Sequence, residues 1–436
     1  MIFEHQFETM TRTELEKLQV DRLKSVLKLA YDRAPFYAKR FREIGFEPQD
    51  FKGLDDLIKL PLTEKEDINR HFPEGFLACP PSQLSRFHAS SGTTGQLTVM
   101  GYTCGDIQNW ARLMARCFSA AGVTSADVVN VAYNYGLFTG GLGAHYGAEL
   151  LGAAILPCSG GASHRQVELM RRLSVSVMCC TPSYALYLAE VAKDDGFDFR
   201  DKDTFPLRVG LFGAEPWSDN LKKIIEERLA IKALNLYGLS EVMGPGLSVE
   251  CLEGQNGLHF FEDHFLAEII DPQTGATLGP GQLGELVVTT LTREAVPLIR
   301  YRTRDITSIF FDPCPCGRTH LRMTRVMGRS DEMLVVRGVN IFPSQFEDLI
   351  LSEKTLSPNY QITIDRENEL DTLEVSVEPN PDNFFPLDEE KLSETLGVKI
   401  KEHFGITARL RLLPPKTIVR GQSKTQRVFD RLRGKI

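Results

Sequence analysis

The chain has 436 residues, of which 42% are hydrophobic and 25% charged, and its formal net charge is −8. This size suits two or three domains of ordinary globular composition, and the negative charge argues against nucleic acid, whose phosphates are bound by clustered Lys and Arg. No apolar stretch reaches the roughly 18–20 residues of a transmembrane helix and no secretory signal is recognisable, so we expect no membrane partner and a cytoplasmic location.

The first segment, about 8–70, is predicted to be helical, because apolar residues recur at helical spacing between charged ones. From about 85 to 325, short apolar runs that end in turn residues alternate with amphipathic segments such as "RQVELMRRL" at 165–173. This alternation is typical of βαβ units around a buried, largely parallel sheet. From about 265 onward, Gly- and Pro-containing turns separate the strands, which predicts an antiparallel region.

A smaller α+β unit is predicted after Ser330, with helices near 344–353 and 387–404 and strands near 359–378 and 407–413. The boundary is expected within 328–332.

The predicted fold class is therefore α/β. A large N-terminal domain, 1–330, combines mixed and parallel sheets flanked by helices with an antiparallel β subdomain, and it begins with a small helical region of about 1–80. A small, mobile α+β domain follows at 331–436.

The segment between the first two predicted strands is rich in hydroxyl groups and glycine. It consists of Ser90, Ser91, Gly92, Thr93, Thr94 and Gly95. Successive backbone N–H groups in such a loop can form an anion-binding concavity, and glycine allows close approach to a ligand. The segment is not the GxxxxGK[ST] nucleotide loop, because Gln96 follows where that motif needs Lys. Composition alone favours a flexible turn, so the interpretation depends on the rest of the chain.

Four further segments accompany the loop: "YGLSE" at 237–241, "YRTRD" at 301–305, "GRSDE" at 328–332 and "QSKTQ" at 422–426. In this order they resemble the motifs of adenylate-forming enzymes, the superfamily of acyl-CoA synthetases, luciferases and nonribosomal adenylation domains. That resemblance implies that the loop cradles the phosphates of ATP. The family usually has Lys-Pro where this chain has Gln96-Leu97, so the loop is expected to bind phosphate through backbone N–H groups and hydroxyls.

The resemblance implies a role for one charged residue in each of the later motifs. Glu241 would hold Mg²⁺ on phosphate oxygens, and Asp305 would accept hydrogen bonds from the ribose hydroxyls. Lys424 would be the catalytic lysine, which neutralises the two anions that adenylation brings together. Asp331 would be the hinge of the C-terminal domain, and Arg329 would reach the nucleotide. The motif residues Tyr237, Gly238 and Ser240 would complete the nucleotide site.

Simpler interpretations stay open for each of these residues. Glu241 could be a surface residue at a strand end, and Asp305 could form a surface ion pair with Arg302 or Arg304. Lys424 could be an ordinary lysine of the C-terminal tail.

Longer segments resemble one branch of the superfamily, the phenylacetate–CoA ligases. They include "YNYGLFTGGLGAHYG" at 133–147, "LFGAEPWS" at 211–218 and "GLHFFEDHF" at 257–265. In that branch Lys65 is expected to reach the terminal phosphates, although the residue alone would suggest a solvated lysine beside a Thr63 helix cap. The adenine side would be lined by Gly213, Ala214, Glu215 and Pro216. The acyl pocket would be walled by Tyr135, Gly136, Phe138, Gly140 and Gly141.

A structural zinc site is also predicted. Cys314 and Cys316 lie one residue apart in a tight turn, a spacing at which thiolates commonly bind zinc. Cys251 and His259 would complete a Cys₃His set, with His264 as the second choice of histidine; free thiols are the alternative. The other six cysteines are interpreted as buried small residues.

The resulting expectation is an enzyme that uses ATP, Mg²⁺ and coenzyme A to convert an aryl carboxylic acid, above all phenylacetate, into its CoA thioester through an acyl adenylate. A homodimer is expected from the resemblance. The alternatives are a ligase of the same fold for a benzoate- or indoleacetate-like acid, an adenylating enzyme that loads a carrier protein, and a non-catalytic nucleotide-binding protein.

Overall fold

The computed structural model describes residues 1–91, 97–336, 339–367, 370–380, 389–419 and 427–431. The predicted helical start is present. It contains α1 (His5–Glu8), α2 (Arg12–Arg33), α3 (Pro35–Glu43) and α4 (Lys65–His71). Helix α2 begins with a capping box, in which the Thr11 hydroxyl accepts from the Glu14 N–H and the Glu14 carboxylate accepts from the Thr11 N–H. Helix α3 begins with proline, whose missing N–H is not needed at that position.

The two strands around the predicted phosphate loop form an antiparallel pair. They are β1 (Leu84–Ser91) and β2 (Leu97–Thr103), and Ser91 lies opposite Leu97. The loop residues 92–96 between them lie outside the described residues.

The middle of the chain alternates helices and strands, as predicted. In chain order it contains α5 (Cys104–Ala120), β3 (Val128–Val131), α6 (Thr139–Leu151), β4 (Ala154–Leu156), α7 (Ser163–Arg172), β5 (Val177–Cys180), α8 (Pro182–Asp194), β6 (Val209–Phe212), α9 (Asp219–Leu229), β7 (Lys232–Leu239), β8 (Gly244–Glu250) and β9 (Leu258–Phe260). The strands β4-β3-β5-β6-β7 are parallel neighbours, and β8 and β9 extend this sheet in antiparallel fashion.

An antiparallel region follows, as predicted. It contains β10 (Phe265–Ile270), β11 (Thr277–Leu278), β12 (Gly284–Thr290), β13 (Tyr301–Thr307), β14 (Ile309–Phe310), β15 (Arg322–Met323) and β16 (Gly328–Arg329). Five of these strands form a second sheet in the order β11-β10-β12-β13-β16, whereas β15 and β14 join the first sheet beyond β9 and bring it to nine strands. The pairing of β13 with β16 places Asp305 opposite Arg329.

The last part of the chain has the predicted α+β composition. It contains β17 (Leu334–Val336), β18 (Val339–Ile341), α10 (Pro343–Leu351), β19 (Leu356–Glu367), β20 (Leu370–Pro379), α11 (Glu389–Phe404), β21 (Arg409–Leu412) and β22 (Val428–Asp430). A four-stranded sheet in the order β21-β20-β19-β22 has its own apolar core, with Phe346, Ile362, Val375 and Leu396 buried. A separate core supports the prediction of a separate domain, whose boundary at 330/331 stays a prediction.

Polar contacts join this last part to α9 and its neighbours. The Ser218 N–H, at the start of α9, donates to the buried Glu347 carboxylate at 2.9 Å. The Asn220 amide donates to the Asp348 carbonyl at 3.1 Å, and the Arg325 guanidinium pairs with the Asp348 carboxylate at 3.1 Å. Such contacts hold the two parts in one relative arrangement.

Among the described residues, no helix combines the length and apolarity needed to cross a membrane.

Candidate active site

A buried carboxylate lies where β7, β1 and the start of α4 converge. Glu241 follows β7 directly and is 4% exposed. Its Oε1 atom lies 2.8 Å from the Lys65 ammonium and accepts a hydrogen bond of 2.7 Å from the Ser90 hydroxyl. Lys65 Nζ also donates to Ser90 Oγ at 3.2 Å. Burial alone would raise the pKa of Glu241, but Lys65 and Ser90 hold that pKa below its usual value, so the carboxylate is ionised.

The main chain before Lys65 is fixed against β13. The Thr63 N–H donates to the Arg300 carbonyl at 2.9 Å, and the Arg302 N–H donates to the Thr63 carbonyl at 2.9 Å. The Thr63 hydroxyl donates to the Ile299 carbonyl and therefore does not cap α4, whose N-cap is Glu64. This pairing delivers the Lys65 side chain to Glu241, so the solvated-lysine interpretation was wrong.

A second buried carboxylate, Asp305 on β13, is 5% exposed. Its Oδ2 atom accepts a hydrogen bond of 2.6 Å from the Tyr237 hydroxyl. Burial raises the pKa of Asp305 to about 6, against the opposing effects of the Arg329 guanidinium and the Tyr237 hydroxyl. Arg329 lies 3.8 Å from Asp305, but its bidentate partner is Asp331, at 2.8 and 2.9 Å. Neither Arg302 nor Arg304 pairs with Asp305; both contact Glu285 and Glu64 instead.

Glu241 lines a cleft, and Asp305 lies next to it, because Thr303 and Arg329 belong to the lining although Asp305 itself does not. A cavity of about 190 Å³ contacts residues from all the predicted motifs that the structure describes. Its lining includes Lys65, Ser90, Phe138, Gly140, Ala214, Gly238, Ser240, Glu241 and Arg329, together with Tyr133, Thr139, Leu236, Leu239, Pro245, Tyr301 and Thr303. The arrangement combines charged groups, hydroxyls and an aromatic wall in one place, as a site for an anionic ligand with an apolar part requires.

The predicted acyl wall is the connection from β3 to α6. Gly140 has no room for a side chain, because an added Cβ would lie 2.6 Å from the Phe138 ring. The Leu137 carbonyl accepts from the Ala89 N–H at 2.9 Å, which ties this connection to β1. Phe138 and Gly140 line the cavity, whereas Tyr135, Gly136 and Gly141 do not.

The segment from Gly213 to Pro216 follows β6 with a constrained backbone. Ala214 has φ of +71° and lines the cavity. A Cβ on Gly213 would lie 2.1 Å from the Leu236 carbonyl oxygen, so only glycine fits there. Glu215 accepts a hydrogen bond of 2.8 Å from the Ser183 N–H, and neither Glu215 nor Pro216 lines the cavity.

The four predicted zinc ligands form a cluster away from this cavity. One donor atom each from Cys251, His259, Cys314 and Cys316 lie within 4.8 Å of one another. Cys251 Sγ lies 3.5 Å from Cys314 Sγ, and Cys316 Sγ lies 3.3 Å from His259 Nε2. These spacings fit four ligands of one tetrahedral ion. His264 instead hydrogen-bonds the Thr292 hydroxyl at 2.7 Å.

The interpretation of the other six cysteines as buried was only partly right. Cys117, Cys179 and Cys180 are buried, but Cys104 is exposed at the start of α5, and Cys79 and Cys158 are partly exposed. Cys104 falls outside the core because a helix start faces solvent here.

Comparison with known proteins decides the family. The family model for AMP-binding enzymes matches residues 8–292, and the model for the AMP-binding enzyme C-terminal domain matches 338–432. The phenylacetate–coenzyme A ligase of Escherichia coli is 47% identical, over 97% of this chain and 96% of that protein. The enzyme of the same name from Thermus thermophilus is 43% identical over 99% of both chains. This chain belongs to the phenylacetate–coenzyme A ligase family of AMP-binding enzymes.

Solved structures of a 2-hydroxyisobutyryl-CoA ligase also match this member of the phenylacetate–coenzyme A ligase family. The structure in the postadenylation state, in complex with R3-HIB-AMP, has 30% sequence identity and a TM-score of 0.91, and the match covers 98% of this chain and 91% of that one. The structure of the same ligase in the thioesterification state has a TM-score of 0.72 with the same coverage. This chain is therefore more similar in overall arrangement to the postadenylation structure.

Five predicted residues of this family member, Gly92, Thr93, Thr94, Gly95 and Lys424, lie outside the described residues, as does the side chain of Ser91. Conversely, the cavity includes residues that the sequence did not single out, among them Tyr133, Tyr301, Thr303 and Pro245. Tyr301 and Thr303 belong to the motif around Asp305, so the alternation of side chains along that strand could have identified them.

Proposed function

We propose that this chain is an AMP-forming ligase that joins phenylacetate to coenzyme A. The observation that carries the proposal is a cavity lined by the buried carboxylate of Glu241, by Lys65 and by an aromatic wall, with a second buried carboxylate, Asp305, next to the lining residue Arg329. The proposal also rests on the full-length similarity to phenylacetate–coenzyme A ligases. The substrates are ATP, the aryl carboxylate and coenzyme A.

In the proposed first half-reaction a carboxylate oxygen attacks the α-phosphate of ATP, giving acyl adenylate and pyrophosphate. Asp305 accepts hydrogen bonds from the ribose hydroxyls, and Lys65 and the loop at 90–95 bind the phosphates. Lys424 neutralises the charge that accumulates as the two anions meet. Glu241 fits a Mg²⁺ ligand, because it is a buried, ionised carboxylate whose charge a cation already balances. When bound there, Mg²⁺ would offset the charge on the phosphate oxygens.

The aryl group is assigned to the wall formed by Phe138 and Gly140. Phe138 offers an aromatic face, and the absence of a side chain at Gly140 lets the Phe138 ring lie directly against the main chain there. Tyr135, whose ring lies close to Gly141, belongs to the same connection but does not line the cavity.

In the proposed second half-reaction the C-terminal domain turns about Asp331, and the coenzyme A thiol attacks the acyl carbonyl to release AMP. The pair of Asp331 with Arg329, next to Asp305, connects the proposed hinge to the nucleotide site. The contacts of Arg325 and Ser218 with α10 would have to break during that turn.

We further propose that Cys251, His259, Cys314 and Cys316 hold a structural zinc ion. A tetrahedral thiolate–imidazole site would cross-link the turn at 313–317 to β9 and its neighbours. The expected homodimer stays a prediction, which analytical ultracentrifugation tests.

The direct test is pyrophosphate release with ATP and a panel of acids: phenylacetate, benzoate, indoleacetate and 2-hydroxyisobutyrate, each with and without coenzyme A. Phenylacetate is expected to give the highest kcat/KM, and phenylacetyl-CoA is expected only when coenzyme A is present. Preference for another acid would refute the substrate assignment. A lack of acid-dependent pyrophosphate release would refute the enzymatic function.

A further inference from the structure

Glu241 has a cationic partner within the protein itself. Its carboxylate is almost fully buried, and the Lys65 ammonium contacts the same Oε1 atom that the Ser90 hydroxyl does. A buried carboxylate without a counter-ion is costly, so Lys65 stabilises the ionised form of this group. This contact joins the start of α4 to the end of β7, two elements far apart in sequence.

The same carboxylate is the proposed ligand of the divalent cation that accompanies ATP. A divalent ion on Glu241 would lie within a few ångströms of the ammonium, and two cations at that distance in a buried site repel each other strongly. Lys65 and the divalent ion therefore exclude each other at Glu241.

We propose that Lys65 occupies the cation position of Glu241 in the nucleotide-free protein, and that the divalent ion arriving with ATP displaces it. This inference rests on the proposed function. The displaced ammonium is then available for the terminal phosphates of the ATP that the ion accompanies. The Lys65 charge thus neutralises first Glu241 and then the phosphates of ATP. Glu241 has a cationic partner at both stages.

The structure allows this exchange because the backbone of Lys65 is fixed and its side chain is not. Thr63 pairs with β13 on both sides, and the Glu64 carboxylate contacts Arg302 at 3.3 Å and Arg304 at 3.1 Å. By contrast, the Lys65 side chain is 24% exposed and reaches Glu241 through four flexible methylene groups. The ammonium can turn away from Glu241 without any change in the main chain.

The position of Ser90 indicates where the displaced Lys65 ammonium would move. Lys65 Nζ also donates to Ser90 Oγ, and Ser90 stands near the end of β1 as the first residue of the segment expected to bind phosphate. The ammonium therefore already contacts both Glu241 and the start of that segment.

The experiment measures binding of Mn²⁺ alone to the nucleotide-free protein at pH 8, from the loss of the free-ion electron paramagnetic resonance signal. Three variants are compared with the wild type: Lys65→Met, Lys65→Arg and the double variant Lys65→Met/Glu241→Gln. Mn²⁺ is a suitable probe because it prefers oxygen ligands, as Mg²⁺ does.

Lys65→Met is expected to bind one Mn²⁺ at least tenfold more tightly than the wild type, because the competing ammonium is absent. Lys65→Arg keeps a cation and is expected to bind as weakly as the wild type. The double variant is expected to lose this increase in Mn²⁺ affinity. Equal affinity of wild type and Lys65→Met would overturn the proposal, as would a gain that persists in the double variant.

A second measurement distinguishes altered Mn²⁺ binding from a folding defect. Mn²⁺ is expected to raise the Tm of Lys65→Met but not that of the wild type, and a shift of equal size in both would contradict the exchange. Neither measurement uses an acid or coenzyme A. Failure of the ion exchange is therefore distinguishable from failure of the proposed ligase activity, which the pyrophosphate assay reports separately.

Discussion

Asp305 is expected to reduce the stability of the unliganded protein because its function requires a buried charge. Burial raises its pKa from the usual 3.8 to about 6. Because the folded-state pKa is the higher one, the contribution of Asp305 favours folding below pH 3.8 and is lost as the pH rises through 6. At pH 7.5 the ionised carboxylate therefore lowers the free energy of unfolding by about 3 kcal/mol, at about 1.4 kcal/mol per pKa unit.

Asp305→Asn should remove this energetic cost of the buried charge and keep the hydrogen bonds around residue 305. The new amide oxygen can accept the Tyr237 hydroxyl, and Arg329 keeps its bidentate partner Asp331. For 436 residues the unfolding entropy is about 0.9 kcal/mol per kelvin, so a gain of about 3 kcal/mol corresponds to a Tm increase of about 3 °C at pH 7.5. The same substitution should weaken ATP binding about 10- to 100-fold, because it removes a charged acceptor.

The assay is differential scanning calorimetry at several pH values, with ATP affinity from isothermal titration calorimetry. About half of the stability difference should remain at pH 5, and about a fifth of it at pH 4. Asp203→Asn, a substitution of an exposed aspartate, serves as the control and should leave the pH dependence unchanged. A Tm for Asp305→Asn at or below that of the wild type at pH 7.5 would show that the buried charge of Asp305 does not destabilise the protein.

Three further predictions concern other parts of the molecule. Lys424→Ala should slow pyrophosphate release by about 10²-fold or more but leave thioester formation from supplied acyl adenylate within a factor of a few, in separate assays of the half-reactions; equal loss of both would contradict its role. Arg325→Met should raise the ratio of the thioesterification rate to the adenylation rate roughly two- to fivefold, because the contact with Asp348 no longer holds the C-terminal part; an unchanged ratio speaks against that role. Cys314→Ser should reduce the zinc measured by mass spectrometry from about one ion per chain to a small fraction and should lower the Tm; full zinc content in the variant would exclude the proposed ligand set.

Much of the fold could be predicted because its signals are local. The strands at 128–131, 177–180 and 209–212 are short apolar runs, and the helices between them are amphipathic. The assignment of β14 and β15 to the nine-stranded sheet could not be predicted, because strands of two residues have no periodicity and their partner β9 lies far away in sequence.

For the site, too, the sequence predicted local features but not contacts between distant segments. The motifs named Glu241 and Asp305, but their partners depend on tertiary packing. Only the pairing of Thr63 with β13 brings Lys65 to Glu241, and only the pairing of β13 with β16 sets Arg329 beside Asp305. Similarly, Glu215 was expected to line the adenine side, but its carboxylate binds the Ser183 N–H. A sequence pattern identifies the chemistry of a residue more readily than the direction of its side chain.

In the proposed mechanism the carboxylate of the acid attacks the α-phosphate of ATP, and the thiol then attacks the acyl carbonyl. Phenylacetate labelled with ¹⁸O in both carboxylate oxygens tests this directly, with mass spectrometry of the products. We expect AMP to acquire one ¹⁸O atom in its phosphate and the pyrophosphate to acquire none. Unlabelled AMP, or ADP and labelled inorganic phosphate as products, would contradict it.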